Sequence, residues 1–224
     1  MTALLRYQAA ILFRSHRWVF PLISYVLLIS VAGVGGSQSL SDGLDWSALT
    51  LLPVVALLTR SMLTAEPGAA RACVAAAAGP RRAQLAVLIS ALAAGAVLAL
   101  AGAGYEMATS ANVGRLFTSQ PGLLASILGA GLGKAAICAF VGSAVATFCN
   151  PPVIRHQAVA LLSTISAAVL ALVSSVSPAS AVVRGNGAAV QSASWPTGVP
   201  FLVAVVLLVV SWLVSAALAA RRGT

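Results

Sequence analysis

The sequence predicts an all-α integral membrane protein with six transmembrane helices. Three observations predict it. Hydrophobic residues make up 60% of the 224-residue chain and charged residues 8%, against about 45–50% and about 25% in a soluble domain. Mean hydropathy is +1.00. The apolar residues fall in six long continuous stretches, whereas a transmembrane barrel alternates apolar and polar positions. A soluble fold of this length cannot hide so much apolar surface. The composition therefore excludes soluble enzymes, nucleic-acid-binding domains and disordered regulators.

A helix needs about 20 apolar residues to cross the hydrocarbon core. The qualifying stretches are residues 18–36, 46–63, 83–104, 122–148, 158–177 and 200–219. The second is the weakest, because Arg60 must snorkel toward the headgroups. An even number of spans puts both termini on one side. On that basis the termini and even loops carry Arg6, Arg14, Arg17, Arg60, Arg71, Arg81, Arg82, Arg155, Arg221 and Arg222. The odd loops carry Arg115 and Arg184, together with Asp42, Asp45 and Glu106. Basic residues mark cytoplasmic loops, so both termini are expected in the cytoplasm, with the chain crossing the plasma membrane. The net charge of +9 is thus a topology signal, and no nucleic-acid partner is expected. Cys73 and Cys149 fall on the cytoplasmic side and Cys138 in a span, so no disulfide is expected. The first apolar run reads as a signal anchor rather than a cleaved leader.

Residues 3–17 precede the first span. On a wheel of about 100° per residue, Arg6, Arg14 and Arg17 cluster and Leu4, Leu5, Ile11 and Leu12 lie opposite. This predicts an amphipathic interfacial helix. The alternative is a basic flank that only sets topology. Residues 65–78 predict a short cytoplasmic helix between spans two and three. Thr64 is placed to cap its start, Glu66 and Pro67 suit its first turn, and an alanine-rich body follows. Gly79-Pro80 ends it. Such an insert is longer than the connection requires, which points to a contact with a partner or with the membrane surface. The loop 149–156 is stiffened by Pro151 and Pro152. The outer loop 178–199 is the longest, rich in Ser, Ala and Gly.

Lys134 is the one ionisable residue predicted at depth, about twelve residues or ~18 Å from the start of its span. Its burial implies a functional, cavity-facing role, or a structural role in a wet bundle interior or a subunit interface. No acid is expected at matching depth, which weighs against a proton-coupled carrier. Around it, Gly129 to Ala135 looks at first like a phosphate loop. It fails because Leu128 and Ala135 stand where that loop needs Gly and Ser or Thr. Gly129 and Gly133 have the spacing of a small-residue helix contact. No His/Cys/Asp cluster has metal-ligand spacing, and no catalytic constellation is visible. No cofactor is expected.

Taken together, these segments resemble the membrane subunit of the type-2 ABC exporters. The likeness covers nearly the whole chain as architecture: six spans, cytoplasmic ends, an N-terminal interfacial helix and a helix between spans two and three. At the residue level it is carried by Glu66, Gly68, Pro80, Arg81 and Arg82, with Ser177-Pro178 like that family's outer re-entrant segment. The family's Thr-Leu-Glu after the glycine is Ala69-Ala70-Arg71 here. The resemblance implies a permease subunit of an ATP-driven export complex. Residues 65–78 would be a coupling helix, with Glu66, Pro67, Gly68, Arg71, Cys73 and Val74 docking on a separate ATPase subunit. A second permease subunit, identical or not, would complete the pathway, with ATP hydrolysis left to the partner. A pathway lined by Ala, Gly, Ser and Thr would favour an amphiphilic cargo. Other readings are an ATP-independent carrier or channel and a non-transporting scaffold or immunity protein.

Overall fold

The computed structural model describes residues 2–34, 39–149, 157–173 and 198–222. They form nine α-helices: α1 Thr2–Ser15, α2 Val19–Val34, α3 Leu40–Ala65, α4 Gly68–Ala78, α5 Pro80–Thr109, α6 Val113–Ser119, α7 Pro121–Cys149, α8 Gln157–Val173 and α9 Gly198–Arg222. Four are long and apolar enough to cross a membrane: α3, α5, α7 and residues Gly198–Leu218 of α9. At 1.5 Å per residue, the 26 residues of α3 reach about 39 Å, more than the ~30 Å hydrocarbon core. Helices α2 and α8 are equally apolar but shorter, at 16 and 17 residues. The remainders of the first and fifth predicted spans lie outside the described residues, as do the loop at 150–156 and the outer loop at 178–197.

Helix α3 is the hub. It packs against α2, α5, α7 and α8, while α9 leans on α5 and α7. Leu51, Leu52, Val54, Val55 and Ala56 in its middle are almost fully buried. Pro53 sits in that stretch and removes one ladder hydrogen bond, a cost that packing on every side offsets. Helix α7 runs parallel to α3: Leu44 packs beside Gly131, and the Leu52 carbonyl beside Gly142. A Cβ at position 142 would stand 2.5 Å from that carbonyl oxygen, so glycine is what lets the two backbones touch. Helix α5 runs antiparallel, with Val55 on Gly95 and Glu106 on Gly43. Gln84 of α5 donates to Ser215 of α9 at 2.9 Å, and Trp46 of α3 donates to the Leu28 carbonyl of α2 at 2.8 Å.

These contacts sort the charges. One end of the bundle gathers Arg17, Arg71, Arg81 and Arg82. The other gathers Asp42, Asp45 and Glu106, with Arg115 on α6 beside them. The outward faces of α2, α8 and α9 are apolar: Phe20, Leu27, Leu162, Leu170, Leu202 and Leu213 are each more than 60% exposed. Only an apolar surrounding makes that arrangement favourable, which is consistent with an all-α membrane protein.

One expectation about the spans is corrected. The second predicted span, 46–63, is part of a helix that starts six residues earlier. Ser39 accepts from the Asp42 amide at 3.3 Å as N-cap, which places Asp42 and Asp45 inside α3 rather than in a loop. The N-terminal helix buries Gln8 and Leu12 against protein, through contacts with α5 and α3. Phe13, by contrast, is 66% exposed and meets Trp18 edge-on at 6.0 Å.

Candidate functional site

The arginine-rich end is organised by the exit of α3. A helix leaves its last carbonyls without partners and carries partial negative charge there. Two arginines answer that. Arg17, from the α1–α2 junction, donates to the Thr64 carbonyl at 3.0 Å. Arg71, from the first turn of α4, donates to the Leu63 carbonyl. The short helix is thus tied to the end of the hub by a side chain as well as by the two residues of chain between them.

This changes the roles expected around residues 65–78. Helix α4 begins at Gly68, not at 65, with Pro67 as its N-cap. Ala65 still belongs to α3, and Glu66 is the C-cap of α3. Thr64 does not open α4: its hydroxyl donates back to the Arg60 carbonyl at 3.0 Å, inside α3. The physical reason is that nothing between Arg60 and Ala65 breaks a helix, whereas Pro67 cannot supply an amide to extend one. Glu66 is 8% exposed, and its Oε1 has no hydrogen-bond partner among the described residues. Tyr7 of α1 lies near it. Partial burial, then the Glu66 carboxylate, push the Tyr7 phenol up from its ordinary value.

The two faces of α4 differ. Arg71 and Val74 are half-buried toward the bundle, while Ala69, Ala72, Cys73, Ala76 and Ala77 are exposed. Those exposed positions recur at the three- and four-residue spacing of one helical face. They make a smooth surface without charge, with Cys73 at its centre. Gly79, at φ 87°, closes α4 in the backbone region that glycine enters freely. Of the expected docking residues, Cys73 faces outward, Arg71 and Val74 face inward, and Glu66 and Pro67 form the hinge. Gly68 is the first residue of α4.

The opposite end holds the charges that sequence reasoning misplaced. Lys134 Nζ meets Asp45 Oδ1 at 2.5 Å, with side chains 14% and 11% exposed. So an acid does stand at the depth of Lys134, contrary to expectation. The parallel register explains it. Helix α7 starts well before α3 along their common direction, so Lys134 in its fourth turn is level with Asp45 in the second turn of α3. Cys138, one turn beyond Lys134, is fully buried beside the pair. Glu106 is 6% exposed, against Gly43. A Cβ at Gly129 or Gly133 would meet no described atom within 4 Å, whereas one at Gly131 would press on Leu44.

Asp45, Glu106, Arg17 and Gly43 were the residues not singled out. A signal for the first was present: Ser39-x-x-Asp42 is a helix-start pattern, and extending the helix from it puts Asp45 on a buried turn. Nothing in the sequence announces that Arg17 reaches a carbonyl 47 residues away. Among the described residues no group of three His, Cys, Asp or Glu side chains is arranged to hold a metal ion. No family model, curated protein or solved structure matches this chain.

Proposed function

We propose that the chain is the permease subunit of an ATP-driven export complex, with six spans and both termini in the cytoplasm of a bacterial cell. It supplies half of a transmembrane pathway, and a second permease subunit supplies the other half. A separate ATPase subunit hydrolyses ATP and docks on α4. The observation that carries this reading is the tether between α4 and α3. A helix with one free, uncharged face is bonded through Arg71 to the exit of the most buried helix in the bundle. Force applied to α4 would be delivered to α3, and through α3 to α2, α5, α7 and α8. This is the arrangement a rigid-body switch between two openings requires.

The test is to isolate the chain in mild detergent and identify what comes with it. A soluble ATPase that crosslinks through Cys73 is expected, with helix-breaking changes at Ala72 uncoupling its ATP hydrolysis from transport. Recovery of the chain without any nucleotide-binding partner, across several mild detergents, would defeat the reading.

The buried Asp45–Lys134 pair favours a second reading, an ATP-independent carrier. Intramembrane ionisable residues often mark an ion or substrate path. That reading predicts transport by the chain reconstituted alone, abolished by Lys134→Ala.

A further inference from the structure

Among the described residues, no salt bridge reaches Glu106. It is in the last turn of α5, beyond the apolar stretch 83–104, and is 94% buried by its 6% exposure. Its Oε1 makes no hydrogen bond to any described residue. Its other oxygen rests on the backbone of Gly43 in α3, so closely that a Cβ there would collide with it. Leu40 and Leu44 of α3, Ala103 one turn back on α5, and Leu124 of α7 form an apolar cluster on one side, and the Tyr25 hydroxyl lies against Gly102, also one turn back on α5. The titratable groups on surrounding elements are Tyr25 of α2, Asp42 and Asp45 of α3, Arg115 of α6, and Lys134 and Cys138 of α7. Lys134 is engaged with Asp45, and no described salt bridge reaches Glu106.

We infer that Glu106 is a proton-binding site: with α3 closed on α5 at Gly43 its carboxyl is neutral, and the proton leaves when that contact opens. An ionised carboxylate without partner in an apolar cradle is far more costly than the neutral acid. A metal cation in its place would need several oxygen ligands, and besides the carboxyl the described side chains around it offer one, the Tyr25 hydroxyl. Gly43 is the hinge of the arrangement, because only a residue without Cβ leaves room for the acid between the helices. A cavity of about 310 Å³ opens among the start of α3, α6 and α7, and Leu40 forms part of both its wall and the apolar cluster. The inference needs neither the ATPase nor a particular membrane orientation.

The chain has two glutamates, Glu66 and Glu106, at opposite ends of the bundle. Carboxyl-labelled ¹³C-glutamate in the full chain, held in lipid nanodiscs, therefore gives two side-chain signals, and Glu66→Gln leaves that of Glu106. The expected result is one signal at the protonated position, unmoved between about pH 5 and 8, where a solvated glutamate is ionised. In Gly43→Ala the signal should move to the ionised position, because the new Cβ expels the carboxyl from its cradle. If Glu66→Gln does not fold, loss of the protonated signal in Glu106→Gln makes the same assignment. An ionised signal at pH 7 in the otherwise unchanged chain would overturn the inference. So would a protonated signal that survives Gly43→Ala.

Discussion

The two ends of the bundle handle charge by opposite means. At the arginine-rich end, Arg17 and Arg71 reach backbone carbonyls at the exit of α3. Those carbonyls needed donors in any case, so the bonds satisfy two requirements together. At the acidic end, charge is taken into the packing. Lys134 and Asp45 pair across two parallel helices, and Glu106 rests on Gly43 with no salt bridge among the described residues. The difference teaches that position along the bundle, more than residue type, decides what a charge does. A guanidinium at a helix end is a fastener. An ammonium a few turns inside is a commitment that its partner must match.

The sharpest way to break this comparison is to remove one member of the buried pair. Lys134→Met should cost about 3–5 kcal/mol, because it leaves Asp45 buried and alone. The double change Asp45→Asn with Lys134→Met should recover most of that loss. Thermal unfolding in detergent or nanodiscs reads both. A double variant no better than the single one would mean that the pair is not the reason for the loss.

A smaller effect is expected between the ends. Gly142→Val should cost about 1–3 kcal/mol as overpacking, since its Cβ would press on the Leu52 carbonyl where α3 and α7 touch. The same variant should loosen the register that sets Lys134 beside Asp45. If its stability is unchanged, the close parallel contact of α3 and α7 is wrong.

The smallest effect on stability belongs to the arginine-rich end. Arg71→Ala should cost only about 0.3–1 kcal/mol, the range for a charge answering a helix terminus near the surface. Under the proposed function its effect on coupling should be disproportionate: ATP hydrolysis by the partner should persist while transport falls. Parallel losses in stability and transport would reduce Arg71 to a structural fastener.

Much of the helical pattern was legible in the sequence. Uninterrupted apolar runs mark the centres of α3, α5, α7 and α9, because lipid-facing and core-facing positions are both apolar and no period needs to be resolved. The break at Gly79-Pro80 was equally plain. Helix ends were harder. Asp42 and Asp45 looked like loop residues because charge argues against a span, yet the Ser39 cap carries the helix through them. Thr64 looked like an N-cap because a threonine precedes Glu66 and Pro67, but an uninterrupted α3 absorbs it. The pairing of Lys134 with Asp45 depends on how far α7 overhangs α3. That offset is set by packing at Gly131 and Gly142, and no local signal encodes it.

Under the proposed function, α4 and its free face lie on the cytoplasmic side of the membrane, where an ATPase could reach them. Cys73 tests that placement, being the exposed cysteine of three, with Cys138 buried and Cys149 half-buried. The measurement is labelling of intact cells with a membrane-impermeant maleimide, before and after permeabilisation. Cys73 should stay unmodified in intact cells and react once the membrane is opened. Prompt modification of Cys73 in intact cells would put α4 outside and contradict the account.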